Sequence, residues 1–407
     1  MLHVFSTVAS LLAAGAVAGQ RPVVFHPNEQ TRHPGVVVDQ DGVVHLAYLA
    51  QEKGKQVQDV FHAVSSDGGD TWSTAVEVSK TPGQSSDPAI GGHGKNLAIV
   101  WVDTTAVAGR PDIWAAISTD TGAAWTTAAD VSNTPGVSSE PAVAVAPDGT
   151  IHVVWTDATA GADNPDIWHT QSGDHGKSWK AAEDISKTPG VSSHPAVACG
   201  FKGEVYVAWS DTTNGTDNRD IWFVRSLDGG NTWDKPFDAS NTPGLSSTPD
   251  VAVGGDGSVC IAWIDSSVGA THPDVFVASS HDRGAKFGKA VNASKPPGIS
   301  SQPAIVAAGG VLAAVWLDTS KDAKAPDIWI AQSTNGGRTF SAAADLSNTP
   351  GVSGLPRVAI VAHSVVVAWE EEEQGAYHIK LARAPLAQAR LERDSEARKM
   401  RLALPAP

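Results

Sequence analysis

The segment Ser226-Leu227-Asp228-Gly229-Gly230-Asn231-Thr232-Trp233 is the best guide to the architecture, because versions of it return along the chain at a nearly fixed interval. Its pattern, Ser-x-Asp-x-Gly-x-x-Trp, favours a tight hairpin, since the carboxylate can accept backbone N–H bonds and Gly adopts a positive φ. Burying the closing indole contributes about 4–6 kcal/mol gross, against about 1 kcal/mol for one turn hydrogen bond. We therefore expect the Trp to anchor the segment and the Asp to shape its turn.

The repeats of this segment predict a ring of β-sheets. Their closing aromatic residues are 53 or 54 positions apart: Trp72, Trp125, Trp179, Trp233, Phe287 and Phe340. Within one period, residues 141–146, 151–156 and 166–171 have strand patterns, and a fourth strand follows the turn and ends near residue 185. Four antiparallel strands per repeat are typical of a propeller blade.

The aromatic residue of each second strand gives the number of blades. There are seven: Tyr48, Trp101, Trp155, Trp209, Trp263, Trp316 and Trp369. The last repeat, about residues 356–383, has only three strands, but residues 23–34 align with 130–141, so 23–25 would supply the missing outer strand. The predicted fold is an all-β, seven-bladed propeller of four-stranded antiparallel blades, closed by an N-terminal strand that leaves no open sheet edge.

The ends of the chain have a different composition. An apolar run over 4–17, ending in a small-residue site at Ala16-Val17-Ala18, predicts a signal peptide over 1–18; the alternatives are an uncleaved anchor and a wrongly chosen start codon. The propeller would then occupy 19–383, and 384–407, rich in Ala, Leu, Arg and Glu, would be a helical or disordered tail. We expect a secreted or periplasmic protein without a membrane span in the mature chain.

Charge and cysteine content restrict the partners. Lys plus Arg number 29 and Asp plus Glu 44, and the net charge of −15 argues against binding to nucleic acid or an anionic membrane. Cys199 and Cys260 lie at non-equivalent positions of adjacent repeats, and the sequence leaves open whether they form a disulfide or remain buried thiols.

The loops that join one blade to the next contain the first candidate site. They read Thr-Pro-Gly-x-Ser-Ser-x-Pro, and the residue before the final Pro varies: His33, Asp87, Glu140, His194, Thr248, Gln302 and Leu355. Because a binding site needs unlike groups that converge, the two His and two acidic residues at the channel mouth are candidates for binding a cation or polar ligand. The alternative is that they are solvated loop residues. No metal-ligand spacing supports them, so a metal is left undetermined, and no cofactor is expected.

Further acidic residues are interpreted as structural. The loops between second and third strands begin with Asp103, Asp157, Asp211, Asp265 and Asp318, each followed closely by Thr or Ser. Residues repeated five times answer a need shared by the blades, and we expect these carboxylates to close the loops through backbone bonds. The acidic run 370–373 is interpreted as a solvated loop.

The turn motif resembles the Asp box, or bacterial neuraminidase repeat, of the sialidase superfamily. The residues at its acidic position are Asp67, Asp120, Asp174, Asp228, Asp282 and Asn335. The resemblance covers about residues 22–383 and implies a propeller whose Asp boxes are structural and lie on the face away from the ligand site.

The family's catalytic pattern is matched only in part. Arg32-His33-Pro34 resembles the family's Arg-Ile-Pro, which implies that Arg32 corresponds to one carboxylate-binding arginine. The loop 50–55 has no acid/base Asp, and Gly354-Leu355-Pro356-Arg357 stands where the nucleophilic Tyr is expected. No catalytic residue is therefore assigned, and the predicted function is binding of a glycan or protein partner. The residues expected to bind it are Arg32, His33, Asp87, Glu140, His194 and Arg357. The alternative is an exo-acting glycoside hydrolase of sialidase type that uses Arg32, Arg357 and Tyr377 with Glu140.

Overall fold

The computed structural model describes residues 23–25, 30–51, 57–107, 110–215, 218–295 and 298–387. They form seven four-stranded antiparallel sheets and contain no helix. The inner strand of each sheet contacts that of the next, and the seventh contacts the first, so the sheets are blades of a closed ring. The predicted seven-bladed propeller is confirmed. The signal peptide predicted over 1–18, and residues 388–407 of the predicted tail, lie outside the described residues.

Each blade contains four strands, which we name from the central channel outwards. The inner strands are Thr31–Val38, Ser85–His93, Ser138–Val145, Ser192–Cys199, Ser246–Val253, Ser300–Ala308 and Val352–Val361. The second strands are Val44–Ala50, Asn96–Val107, Ile151–Asp157, Val205–Asp211, Val259–Asp265, Val311–Asp318 and Ser364–Glu373. The third strands are Asp59–Ser65, Arg110–Ser118, Asp166–Ser172, Asp220–Ser226, Asp274–Ser280, Asp327–Ser333 and Ala376–Pro385. The last of these extends two residues past the predicted end of the propeller.

The outer strands are short, which limits the unpaired edge that each blade exposes. In blades 1 to 6 they are Val76–Glu77, Ala129–Asp130, Glu183–Asp184, Phe237–Asp238, Val291–Asn292 and Ala344–Asp345. In blade 7 the outer strand is Val23–Phe25, which pairs antiparallel with the third strand in the register Val23 to Leu381 and Phe25 to Ile379. The N-terminal segment therefore closes the ring, as the sequence predicts.

The core lies between neighbouring blades. Second strands are covered on both faces, so they read as almost continuous apolar runs, and every residue of Ile151–Asp157 is buried. Their aromatic residues, such as Trp155 and Trp209, are 0% exposed. The turn-motif residues Trp179 and Trp233 are only half-buried. Full burial of an indole, which we expected of the turn motif, therefore belongs to the second strands.

The turn motifs join adjacent blades. The Asp228 carboxylate accepts hydrogen bonds from Ser226 Oγ at 2.8 Å and from the Thr232 amide at 2.9 Å, and Gly230 has a φ of +73°. Trp233 packs edge-on against His169 of the preceding blade, with ring centroids 4.9 Å apart. The carboxylate thus shapes the turn, as predicted, and the aromatic ring contacts the neighbouring blade.

Two remaining sequence questions concern the cysteines and the membrane. Cys199 and Cys260 are both free thiols, so the disulfide alternative is not adopted. Across the described ranges, no helix has the length and apolar character needed to cross a membrane.

Candidate functional site

The residue before each inner-strand Pro lies in a β-bulge at the channel mouth. All seven have a left-handed backbone, with φ between +47° and +54°: His33, Asp87, Glu140, His194, Thr248, Gln302 and Leu355. In each blade the pairing register shifts at this point, for example between Ser139 and Ala142. The following Pro disfavours a right-handed helical conformation, and a bulge re-aims the side chain. The positive φ shared by the seven residues is therefore a property of the bulge and is not explained by the following Pro, which favours extended backbone.

These residues link neighbouring blades. The Glu140 carboxylate accepts hydrogen bonds from the His194 amide at 2.7 Å and from Thr156 Oγ1 at 2.9 Å. Gln302 Oε1 accepts the Leu355 amide at 2.7 Å. The interpretation as a purely solvated loop residue is therefore wrong for Glu140, and the side chains of Glu140 and Gln302 both satisfy backbone donors of the next blade.

The four charged or titratable candidates form two pairs. His33 Nδ1 lies 3.2 Å from Asp87 Oδ1, and this hydrogen bond holds the pKa of Asp87 below its usual range. His194 Nε2 lies 3.3 Å from Glu140 Oε1. One pair joins blades 1 and 2, and the other joins blades 3 and 4. The channel mouth therefore has two histidine–carboxylate pairs on separate seams between blades.

Arg32 is the centre of a third group, formed by blades 1 and 7. Its Nε and Nη2 atoms each lie 3.5 Å from a Glu370 carboxylate oxygen, and its guanidinium carbon lies 3.9 Å from the centroid of the Tyr377 ring. The Tyr377 hydroxyl donates to Glu372 Oε2 at 3.3 Å. Arg32 thus joins one carboxylate and one aromatic face at the mouth, and we call Arg32, Glu370, Glu372 and Tyr377 the mouth cluster.

Arg357 lies deeper, on the inner strand of blade 7. Its side chain is exposed to the channel, but desolvation by the surrounding protein lowers the pKa of the guanidinium, and Asp250 and Glu370 oppose this shift. Asp250, from blade 5, accepts the Ile305 amide at 2.8 Å; burial raises its pKa, and Arg357 acts in the opposite direction. Asp250 was missed from the sequence. The sequence signal that could have identified it is a charged residue at a position where five other blades have Gly or Ala.

The acidic run 370–373 is not the solvated loop that the sequence suggested. It forms the end of a second strand, Ser364–Glu373, and Glu371 is 0% exposed. The Glu371 carboxylate accepts Trp369 Nε1 at 2.8 Å and Ser353 Oγ at 2.9 Å. This is the place that Asp occupies in blades 2 to 6. The order of residues after the second-strand Trp was the signal that could have identified it.

The loop-closing role predicted for the repeated Asp residues is confirmed. Asp157 Oδ2 accepts Trp155 Nε1 at 2.8 Å, Thr134 Oγ1 at 2.6 Å and Ser138 Oγ at 2.9 Å, while Oδ1 accepts the Thr159 amide at 2.8 Å. The same carboxylate therefore binds the strand, the loop from the preceding blade and the following loop. Among the described residues, no group of three or more His, Cys, Asp and Glu is arranged to hold a metal ion.

Comparisons with known proteins agree with this architecture. A model of the BNR repeat-like domain matches residues 19–261 and, in a second match, 97–379. No curated protein sequence matches the chain. A protein of unknown function from Dyadobacter fermentans is 14% identical, with a TM-score of 0.55 over 90% of this chain and 98% of that one.

Two other similar solved structures are those of a polysaccharide lyase and a sialidase. An ulvan lyase of polysaccharide lyase family PL25 is 11% identical, with a TM-score of 0.59 over 91% of this chain and 96% of that one. The Hadza microbial sialidase Hz136 is 17% identical, with a TM-score of 0.52 over 88% of this chain and 66% of that one. At these identities the structures show a common fold alone. Because the family matches span most of a chain whose seven blades carry Asp-box turns, the protein belongs to the BNR repeat-like domain family and has the propeller fold of the sialidase superfamily.

Proposed function

We propose that this protein is an exported, non-catalytic propeller that binds a glycan at the channel mouth. The observation that supports the proposal is the convergence of Arg32, Glu370, Glu372 and Tyr377 from the first and last blades. A tyrosine ring beside charged groups that donate and accept hydrogen bonds suits a sugar, which presents hydroxyls at its edges and apolar C–H groups on its faces.

Binding without turnover is consistent with how the charged groups are used. A glycosidase needs an acid/base group and a nucleophile on opposite sides of one bond. In the mouth cluster, Glu370 binds Arg32 and also accepts the His33 amide at 3.3 Å. Glu140, which the sequence offered as a catalytic partner, binds His194 and Thr156 on another seam. These carboxylates hold the mouth together.

A glycan array tests the proposal with the wild type and Arg32→Ala. We expect the wild type to retain one class of glycan and the variant to bind it at least about tenfold more weakly, since a lost charged hydrogen bond costs about 1.5–3 kcal/mol. Arg338→Ala is the matched control, because Arg338 is exposed on the Asp-box face. A wild type that retains no glycan, or an Arg32→Ala variant that binds as well as the wild type, would contradict the proposal.

One observation favours a second candidate, an exo-acting glycoside hydrolase. The Tyr377 hydroxyl is hydrogen-bonded to Glu372, and a carboxylate in contact with a hydroxyl can act as a base that activates it as a nucleophile. The structure places Arg32 beside Tyr377 but does not bring Glu140 or Arg357 into contact with them. Turnover of a fluorogenic sialoside that is lost in Tyr377→Phe would support this candidate, and no turnover by the wild type would exclude it for that substrate.

A further inference from the structure

One position of the loops between blades presents aliphatic side chains to water. It is the x of Thr-Pro-Gly-x-Ser-Ser, and the residues in blades 1 to 7 are Gln30, Gln84, Val137, Val191, Leu245, Ile299 and Val352. The five aliphatic residues belong to consecutive blades, and we call them the aliphatic arc. Four of them are exposed, by 47% for Val137, 49% for Leu245, 43% for Ile299 and 40% for Val352, whereas Val191 is half-buried.

The backbone at this position is held firmly, which directs the side chain outwards. The Leu245 amide donates to Ser266 Oγ at 2.8 Å, and its carbonyl accepts the Ser266 amide at 3.1 Å. Ile299 makes the same two bonds with Thr319, at 2.8 and 3.2 Å. Both polar groups of the backbone are therefore satisfied within the loop.

The fold does not require an aliphatic side chain there. Gln84 makes the same pair of bonds with Thr104, at 3.0 and 3.3 Å. The loop thus forms equally well around a polar residue in blade 2, and Gln30 occupies the position in blade 1. The backbone bonds of the loop therefore do not account for the five aliphatic residues.

Exposed apolar residues are concentrated on this face. Eight large hydrophobic residues are exposed in the described part of the chain, and five of them lie on the loop face: Val137, Leu245, Val268, Ile299 and Val352. Val268, in the neighbouring loop of blade 5, is 66% exposed. Scattered apolar residues on a surface are ordinary, but a group collected on one face around polar residues marks an interaction site.

Charge at the mouth limits what can bind there. The carboxylates of Asp87, Glu140, Asp250, Glu370 and Glu372 outnumber the guanidinium groups of Arg32 and Arg357 by five to two. This surplus would repel the same face of a second copy and an anionic lipid surface, and it would attract a basic partner. Aliphatic side chains give a sugar neither a flat ring to stack on nor a hydrogen-bonding group.

We infer that the aliphatic arc docks a protein partner whose interface combines aliphatic side chains with a lysine or arginine directed at the mouth. Apolar contact along the arc would provide the buried area, and the carboxylates would orient the basic group. This goes beyond glycan binding by the mouth cluster, because it assigns a protein occupant to the aliphatic arc, although the basic group of that partner would share the mouth carboxylates.

The experiment uses the full-length protein and a displayed library of random 15-residue peptides selected on the wild type. The arc variant carries Val137→Gln, Leu245→Gln, Ile299→Gln and Val352→Gln, which copies the residue that blade 2 uses. The control carries Phe201→Gln and Leu227→Gln, which are 60% and 41% exposed on the Asp-box face. We expect peptides rich in aliphatic residues and containing Lys or Arg, which bind the wild type and the control equally and the arc variant at least about tenfold more weakly.

Several results would overturn the inference. One is a selection that enriches no peptides, or peptides that the arc variant binds as tightly as the wild type. Flotation of the wild type, but not the arc variant, with phosphatidylcholine vesicles would assign the arc to a lipid surface. A dimer in sedimentation that only the arc variant loses would assign it to a second copy. Thermal melting confirms that the variant folds, and Arg32→Ala should keep peptide binding even where it loses glycan binding, so the two proposals fail separately.

Discussion

Single residues show how the blades share one scaffold and still differ. The carboxylate after the second-strand Trp is Asp in five blades and Glu371 in the seventh, while blade 1 has Ala50. Glu371 makes the same bonds to the indole and the serine as Asp157 does. The longer side chain also reaches Lys380, at 3.4 Å. A buried carboxylate is stable there because each oxygen has donors, and one side chain can replace another where the donors are kept.

Asp166 is predicted to be a destabilising residue. It is 6% exposed; burial raises its pKa to about 6, and Asp184 adds to the shift. Above pH 6 the folded protein holds a charge that an unfolded chain, with a pKa near 3.9, would hold in water. Asp166→Asn should therefore raise the free energy of unfolding by about 1–3 kcal/mol at pH 8, and the gain should shrink as pH falls towards 4.

Asp228→Asn is the opposite control for Asp166→Asn. Hydrogen bonds from Thr232, then Ser226, lower the pKa of Asp228 to about 2, so its charged form is favoured by folding. Its replacement should lower stability at pH 8. Thermal melting of both variants at pH 8 and pH 4 measures the effect. A destabilised Asp166→Asn at pH 8 would show that Asp166 contributes more through its hydrogen bonds than it costs through its charge.

Among the elements, the ring-closing strand is short for its task. Val23–Phe25 supplies three residues, and Phe25 is 2% exposed, with its ring 4.9 Å from Tyr48 and 5.3 Å from Trp72. Phe25 therefore bridges the strand, blade 1 and the first Asp box. In a strand this short, one aromatic side chain provides much of the apolar contact that holds the edge of blade 7.

Phe25→Ala tests how much this strand stabilises the ring. Removing a buried Phe costs about 3–5 kcal/mol, and the midpoint of urea unfolding should fall accordingly. Leu227→Ala, at a side chain that is 41% exposed, should change stability by less than about 0.5 kcal/mol. Equal midpoints for the two variants would mean that the stability of the closed propeller does not depend on the Phe25 side chain.

Two blades each have a pair of buried histidines, one on the second strand and one on the third. These pairs should make the stability of the protein sensitive to acid. His45 Nδ1 lies 3.1 Å from His62 Nε2, and His152 Nδ1 lies 3.2 Å from His169 Nε2. Burial lowers the pKa values of His62 and His152 to about 3. The unfolded histidines bind protons near pH 6.5, so the stability from these pairs is present above that pH and is lost progressively as pH falls towards 3.

Blade 4 offers a design for removing one of these pairs. Tyr206 and Phe223 occupy the equivalent positions there, with stacked rings 6.2 Å apart. The double variant His152→Tyr, His169→Phe should lose less stability between pH 7 and pH 4 than the wild type, as judged by melting temperature. His175→Asn, at an exposed site, is the control. Parallel pH profiles for the double variant and the wild type would refute the role of the pair.

At the scale of the whole molecule, the fold could be predicted because similar residues recur at the same positions of successive blades. The spacing of Trp101, Trp155 and Trp209 gave the repeat, and the alignment of 23–34 with 130–141 gave the closure. The candidate site could be predicted only in part. Contact of Arg32 with Tyr377 depends on closing the ring, and Asp250 and Arg357 come from different blades. A residue that occurs in one blade alone leaves no periodic signal in the sequence, so the proximity of such residues is seen only in the three-dimensional structure.

The short outer strand of blade 7 also has a consequence for synthesis. Thr31 Oγ1 accepts the Ile379 amide across 348 positions of the chain, and Val24 pairs with Lys380. During translation, the first segment of the propeller to leave the ribosome must wait for the last one before either has its partner. Until then six sectors can assemble in sequence, but the disc remains a crescent with two uncovered ends. Completion of the ring thus waits for synthesis of its last blade, and the crescent is the form that a chaperone would encounter before then.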